Sequence, residues 1–354
     1  MAEKKLMKGN EALAEAAIRA GCRCFFGYPI TPQTEVAAYM AKRMPQVGGV
    51  YLQSESEIAA VNMVMGASAA GVRAMTSSSS PGISLKAEGI SYLAGCDLPA
   101  VIVNMQRGGP GLGGIQPSQA DYYQAVKGLA HGDFRIIVLA PAGIQEVVDL
   151  MGSAFDLADE YRMPVMILGD GMLGQMMEPV AFPDSEAPVL PEKEWACSGT
   201  KNGRKKNIIN SLYIQPAELE EIVKARFERY AEIEDKHAMS ESYMTDDADI
   251  VLVAYGATAR IAKNAILAAR AEGIKVGLLR PITLWPFPTK ALKALTSTAK
   301  AFLTVEMSMG QMVDDVRLAT ECARPVHFFG RTGGVVPTPK EILGEIKKIS
   351  GGIK

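Results

Sequence analysis

Short apolar runs alternate with helix-period segments along the first half of the chain. Cys24 to Phe26, Gly49 to Gln53, Val72 to Ser77, Ala100 to Gln106, Arg135 to Ala140 and Pro164 to Gly169 read as strands. Between them, Asn10 to Ala20, Thr34 to Arg43, Glu57 to Gly71, Ser84 to Gly95 and Gly143 to Tyr161 carry helical patterns. The segment from Glu57 is built on small residues, among them Ala59, Ala60, Gly66, Ala67, Ala69 and Ala70, which permit close packing. Strands alternating with helices predict a parallel sheet covered on both faces. Ligands of such sheets sit beyond the carboxyl ends of the strands. That rule singles out the loops after Phe26, after Ser77 and after Gln106.

From Glu178 to Asp246 the pattern degrades. Pro179, Pro183, Pro188 and Pro191 interrupt it, and a polar stretch follows from Cys197 to Asn210. Glu218 to Ile233 then reads as a charged amphipathic helix flanking a partner. A second alternating unit begins at Asp249, with strands at Ile250 to Tyr255, Val276 to Leu279, Lys300 to Val305 and Val326 to Phe329. Its helices start at the turn Gly256-Ala257-Thr258 and at Gly310. The expected fold is α/β, with two doubly wound parallel-sheet domains at residues 1–180 and 247–354. Residues 181–246 connect them and carry one long helix.

Composition narrows the function classes. The chain has 354 residues, 48% of them hydrophobic, and a net charge of −2. That balance excludes a nucleic-acid or polybasic membrane surface. The basic residues are scattered apart from Lys201 to Lys206. No apolar run is long enough to span a bilayer, and the start, Met1-Ala2-Glu3-Lys4-Lys5, lacks the apolar stretch of a signal peptide. The expected location is cytoplasmic. Cysteines stand at 22, 24, 96, 197 and 322 with no C-x-x-C pair, so no iron–sulfur ligand set is expected. Three dispersed histidines make a structural zinc site equally unexpected, and no metal ligand is assigned. Nineteen methionines against two tryptophans suit the filling of irregular core gaps, with Met172 to Met177 and Met307 to Met312 as candidates for subunit contacts.

Four motifs carry candidate chemistry. The run Phe25-Phe26 ends in the turn Gly27-Tyr28-Pro29-Ile30-Thr31-Pro32, which presents Thr31 and backbone amides at a strand end. Glu55-Ser56-Glu57 opens the small-residue helix, and a carboxylate there is costly to bury without a partner. Arg107-Gly108-Gly109-Pro110-Gly111 follows a strand; the glycines let backbone approach a ligand, and the Arg107 fork suits a carboxylate or phosphate. The alternative is a mobile loop with an exposed arginine. Its spacing fits neither a P-loop nor a dinucleotide fingerprint. Ser77 to Ser80 before Pro81-Gly82 reads as a helix cap. His131-Gly132-Asp133 reads as a structural turn. Gly169-Asp170-Gly171 opens like the diphosphate motif of thiamine diphosphate enzymes, but no asparagine pair follows at the spacing that motif needs. It reads as a turn.

Together, Gly27-Tyr28-Pro29-Ile30-Thr31-Pro32, Glu55-Ser56-Glu57, Thr76 to Gly82 and Arg107-Gly108-Gly109-Pro110 resemble the α subunit of 2-oxoacid:ferredoxin oxidoreductases. The resemblance spans nearly the whole chain and is nearest the branched-chain type, which acts on 3-methyl-2-oxobutanoate. It implies an enzyme subunit, active only with its partners. The reaction is oxidative decarboxylation of a 2-oxoacid to acyl-CoA and CO2 with reduction of ferredoxin. It implies a pyrimidine-binding thiamine diphosphate domain followed by a domain like the C-terminal one of transketolase. The diphosphate and Mg2+ would sit on a β subunit, and [4Fe–4S] clusters on a small ferredoxin-like subunit, with a γ subunit as a further partner. Matched by motif, Glu57 would hydrogen-bond N1′ of the aminopyrimidine and favour the tautomer that takes the thiazolium C2 proton. Pro29 would lie against that ring, and Thr31 and Arg107 would contact the 2-oxoacid. Two alternatives remain: a 2-oxoglutarate enzyme of the same family, marked by a second basic residue in the pocket, and a non-catalytic scaffold subunit.

Overall fold

The computed structural model describes residues 4–183, 188–200 and 203–353. The first three residues of the N-terminal segment and Lys201 of the basic cluster lie outside them.

The chain opens with β1 (Lys5–Lys8), α1 (Gly9–Arg19), β2 (Cys24–Gly27), α2 (Thr34–Arg43), β3 (Val50–Gln53), α3 (Glu57–Ala69), β4 (Ala74–Ser78), α4 (Pro81–Gly95) and β5 (Ala100–Gln106). It continues through α5 (Tyr122–Val126), β6 (Ile137–Leu139), α6 (Ile144–Tyr161), β7 (Pro164–Asp170), α7 (Gly171–Gln175) and β8 (Met177–Val180). The long helix α8 (Pro216–His237) and strand β9 (Ser240–Tyr243) follow. The last part comprises β10 (Ile250–Val253), α9 (Gly256–Ala271), β11 (Val276–Pro281), β12 (Thr283–Trp285), α10 (Thr289–Leu295), β13 (Ala301–Glu306), α11 (Met312–Ala319), β14 (Val326–Gly330) and α12 (Pro339–Gly352).

Two sheets organise these elements. The larger runs in the order β12-β6-β7-β5-β4-β2-β3, parallel throughout except for β12 at one edge. β5 and β7 are buried along their whole length, as expected of strands covered on both faces. Helices α1, α2 and α6 pack together, as do α3 and α4. The smaller sheet runs β14-β13-β10-β11-β9, with β9 antiparallel at its edge. Its core joins the alanine face of α9 to Ile342, Ile346 and Ile349 of α12.

The strand–helix alternation read from the sequence is present, with differences at the edges. β1 and β8 form an antiparallel ribbon of their own. β9 precedes the second unit yet joins its sheet, and β12 returns from that unit to the first sheet. Edge strands of three or four residues are too short for a two-residue period to register. Helix α8 lies against the body of the chain: Arg226 and Arg229 both reach Asp97, at 3.2 and 2.6 Å, and Tyr230 meets the edge of the Trp285 ring. No helix among the described residues is long and apolar enough to cross a membrane.

Candidate active site

The carboxyl ends of β3, β2, β4 and β5 lie side by side and carry the sequence motifs. After β2 the chain turns through Pro29 and Thr31, both exposed. The turn is held from below: Asn10 Nδ2 donates to the Pro32 carbonyl at 2.7 Å, and Gln175 Nε2 reaches the same oxygen at 3.4 Å. Gln33 is buried and accepts a 2.5 Å hydrogen bond from Ser77 Oγ of β4. The β3 end is latched to the same turn, because Ser54 donates to the Gly27 carbonyl through both its amide and its hydroxyl.

That latch fixes where α3 begins. Ser56 caps the helix, its Oγ accepting from Ala59 N at 3.1 Å. Glu57 is then the first helical residue, where the helix dipole favours a carboxylate. Glu57 is 6% exposed, whereas Glu55 is exposed on the surface. The Glu57 carboxylate accepts no hydrogen bond from any described residue. Gly82 of α4 faces it, and a Cβ there would lie 2.8 Å from Glu57 Oε1 and collide with Ser78 Oγ. The Ser78 hydroxyl at the end of β4 shares the Gly82 face with Glu57, and the hydroxyls of Thr76, Ser78 and Ser79 are all buried without partners.

Arg107 follows β5 and is 7% exposed, not a free surface arginine. Nη1 donates to the Thr31 carbonyl at 3.0 Å and Nη2 to the Leu112 carbonyl at 3.1 Å, while Nε is unpartnered. The structure thus brings the Thr31 turn and Arg107 together. The glycine loop folds back on itself, with Gly114 N donating to Gly108 O at 2.9 Å. Gly113 takes φ of 58° against the Gly108 carbonyl, a position where a Cβ has no room.

A polar cluster beside Arg107 was not foreseen from the sequence. Ser80 stands at the β4–α4 turn with φ 23°, a strained value for a non-glycine residue. Its Oγ donates to Asp121 Oδ2 at 2.6 Å and accepts from Arg107 N at 3.0 Å. Asn104 Nδ2 donates to the same Asp121 oxygen at 2.9 Å, and Asn104 Oδ1 accepts from Ser80 N at 3.1 Å. Burial pushes the Asp121 carboxyl up, with the Ser80 and Asn104 bonds opposing. Lys86, one turn beyond Gly82, was also missed; it is wholly buried against Glu57. Asp170 caps α7 through the amides of Met172 and Leu173, as the turn reading of Gly169-Asp170-Gly171 expected.

A cavity of about 590 Å3 opens at this cluster. Ser80, Arg107, Asp121 and Gln124 line it from the first sheet, and Met309 and Thr332 from the second domain. Another cavity, of about 700 Å3, lies between α8 and α10, away from the strand ends.

Residues 15–244 match the family described as pyruvate flavodoxin/ferredoxin oxidoreductase, thiamine diphosphate-binding, and residues 248–342 match pyruvate:ferredoxin oxidoreductase core domain II. The chain belongs to this oxidoreductase family. It is a 2-oxoacid:ferredoxin oxidoreductase subunit. It is 51% identical, over 98% of both chains, to ketoisovalerate oxidoreductase subunit VorB of Methanothermobacter marburgensis. It is 37% identical, over 99% of this chain and all of the relative, to 2-oxoglutarate synthase subunit KorA of Methanothermobacter thermautotrophicus. Among solved structures it resembles the 2-oxoglutarate:ferredoxin oxidoreductase from Magnetococcus marinus with 2-oxoglutarate, coenzyme A and succinyl-CoA bound, at a TM-score of 0.89 and 30% identity. The match covers 98% of this oxidoreductase chain and 65% of that longer one, so this chain spans just under two thirds of it. A split-gene transketolase, an inactive β4 tetramer, shares the fold alone, with a TM-score of 0.60 at 14% identity.

Proposed function

We propose that this chain is the α-type subunit of a branched-chain 2-oxoacid:ferredoxin oxidoreductase and contributes the aminopyrimidine half of a shared thiamine diphosphate site. The observation that carries the reading is the Glu57 carboxylate, nearly buried at the start of α3, hydrogen-bonded to no described residue and packed against Gly82, where a Cβ would displace it. The residues suit that cofactor: a carboxylate for a ring nitrogen, a Ser78 hydroxyl beside it without a partner, and a glycine at 82, where a side chain would push that carboxylate aside. Thiamine diphosphate supplies an acidic carbon that adds to a 2-oxo carbonyl and holds the electron pair released with CO2. Glu57 would hold the proton at the pyrimidine nitrogen, and Pro29 would border the ring. Arg107 has two of its five N–H donors tied to loop carbonyls, which fixes its fork and leaves the other Nη donors for a substrate carboxylate. Thr31, held to Arg107, would orient the carbonyl end.

The cavity wall favours the branched-chain substrate over 2-oxoglutarate. Arg107 is the one cation among the described residues lining it, and Asp121 is an acid. A second substrate carboxylate would meet that acid with no further cation. Partner subunits in the cytoplasm would supply the diphosphate and Mg2+ site and the [4Fe–4S] clusters. The test is turnover of the complex, purified with its co-expressed partners, on 3-methyl-2-oxobutanoate and 2-oxoglutarate side by side. A kcat/KM at least about tenfold higher for the branched-chain acid is expected. A preference for 2-oxoglutarate, or a complex that purifies without thiamine diphosphate and does not bind it, would contradict the proposal.

A further inference from the structure

Lys86 lies wholly inside the seam between α3 and α4. The helices approach closely because glycines stand on either side of it. Gly82 faces Glu57 and Ser78, and Gly89 faces Val61, whose methyl groups occupy the space a Cβ would take. Residues 82, 86 and 89 share one face of α4, and Glu57 and Val61 share the opposing face of α3. On this face a lysine has no route to solvent. Nζ lies 3.5 Å from the Glu57 carbonyl oxygen, its one hydrogen bond among the described residues. Burial pushes its pKa down to about 8, and the Glu57 charge is what opposes that shift. An ammonium is costly to bury, and a methionine of similar volume would pack the seam without that cost.

We infer that Lys86 is a positioning residue for Glu57, its buried ammonium, held at the Glu57 carbonyl, anchoring the first turn of α3 and placing a counter-charge beside the carboxylate that is presented to the pyrimidine ring. The inference rests on the assignment of Glu57 made above. Neither the charge nor its burial is needed to close the seam, so its removal should be felt through Glu57.

The test is a double-mutant cycle in the assembled complex, with K86M, E57Q and their combination, and K86R as the charge-keeping control. In the cofactor-free complex, K86M should lower the thermal midpoint when Glu57 is present, because a carboxylate loses its counter-charge. In the E57Q background K86M should raise the midpoint or leave it unchanged, because a lone buried ammonium is removed. With thiamine diphosphate and Mg2+ added, K86M should slow C2–H exchange about tenfold, and K86R should stay within about threefold of the parent. The same midpoint shift for K86M in both backgrounds would mean a purely structural role and overturn the inference. So would undiminished exchange in K86M alongside an impaired E57Q. Exchange in E57Q equal to the parent would instead remove the Glu57 assignment, and the lysine's role with it.

Discussion

At the scale of single residues, two carboxylates two positions apart meet opposite fates. Glu55 is solvated, while Glu57 is enclosed at the first position of a capped helix. An acid before a run of small residues marked Glu57 as a candidate in the sequence, and its burial is what the structure adds. Arg107 was legible as a fork after a strand, though not that its two Nη groups would be spent on the carbonyls of Thr31 and Leu112. R107A should raise the KM for 2-oxoacid about ten- to a hundredfold, as expected for loss of a charge-assisted hydrogen bond, and leave the KM for coenzyme A near its parent value. Steady-state kinetics varying each substrate in turn checks this; an unchanged 2-oxoacid KM would refute the role. Lys86 and Asp121 were not legible, and Ser80, read as part of a helix cap, makes no side-chain cap to α4 because its hydroxyl is turned to Asp121. A lysine in a helix-period segment reads as part of a solvated face, and only the glycines either side of it, set against α3, bury it.

At the scale of elements, the strand ends place the chemistry and the caps hold it there. Ser56 starts α3 and Asp170 starts α7. Burial lifts the Asp170 carboxyl from its ordinary 3.8 to about 6, with the amides of Leu173 and Met172 opposing. The folded chain therefore keeps this proton over a range where the unfolded chain has released it. The stability it contributes is complete below pH 3.8 and is lost as pH rises through about 6. In D170N the amide keeps a cap acceptor and does not titrate. The thermal midpoint of the parent minus that of D170N should therefore fall between about pH 4 and about pH 6.5. A difference that stays flat or rises over that window would contradict the burial argument. The central parallel strands were legible because both faces are buried; β9 and β12 were not, being short edges whose place depends on a neighbouring sheet. The closing helix α12 did carry a local signal, the Thr338–Glu341 capping box ahead of a Pro at the first turn.

At the scale of the whole molecule, the two sheets meet through the loop that follows the Arg107 glycines. Gln119 is its buried hub. Nε2 donates to the Tyr255 carbonyl at 2.9 Å, and Oε1 accepts from Thr258 Oγ1 at 2.8 Å and Met307 N at 3.0 Å. Q119A would leave two buried groups of the second domain unpaired, the Thr258 hydroxyl and the Met307 amide, while the Tyr255 carbonyl keeps its bond from Ala259 N; the cost is about 2–4 kcal/mol. The thermal midpoint should drop by several degrees; one within about a degree of the parent would show the hub to be dispensable. The second domain also places Met309 and Thr332 at the mouth of the cavity, so the pocket belongs to both domains. Among the described residues no group of three or more His, Cys, Asp or Glu could hold a metal ion.

The central claim is that Glu57 is this chain's contribution to cofactor activation. The most direct measurement is the rate of C2–H exchange of thiamine diphosphate bound to the assembled complex, in the parent and in E57Q. A fall of at least about a hundredfold in E57Q, with turnover lost in parallel and the complex still assembled, is the predicted result. Exchange within about twofold of the parent would contradict it.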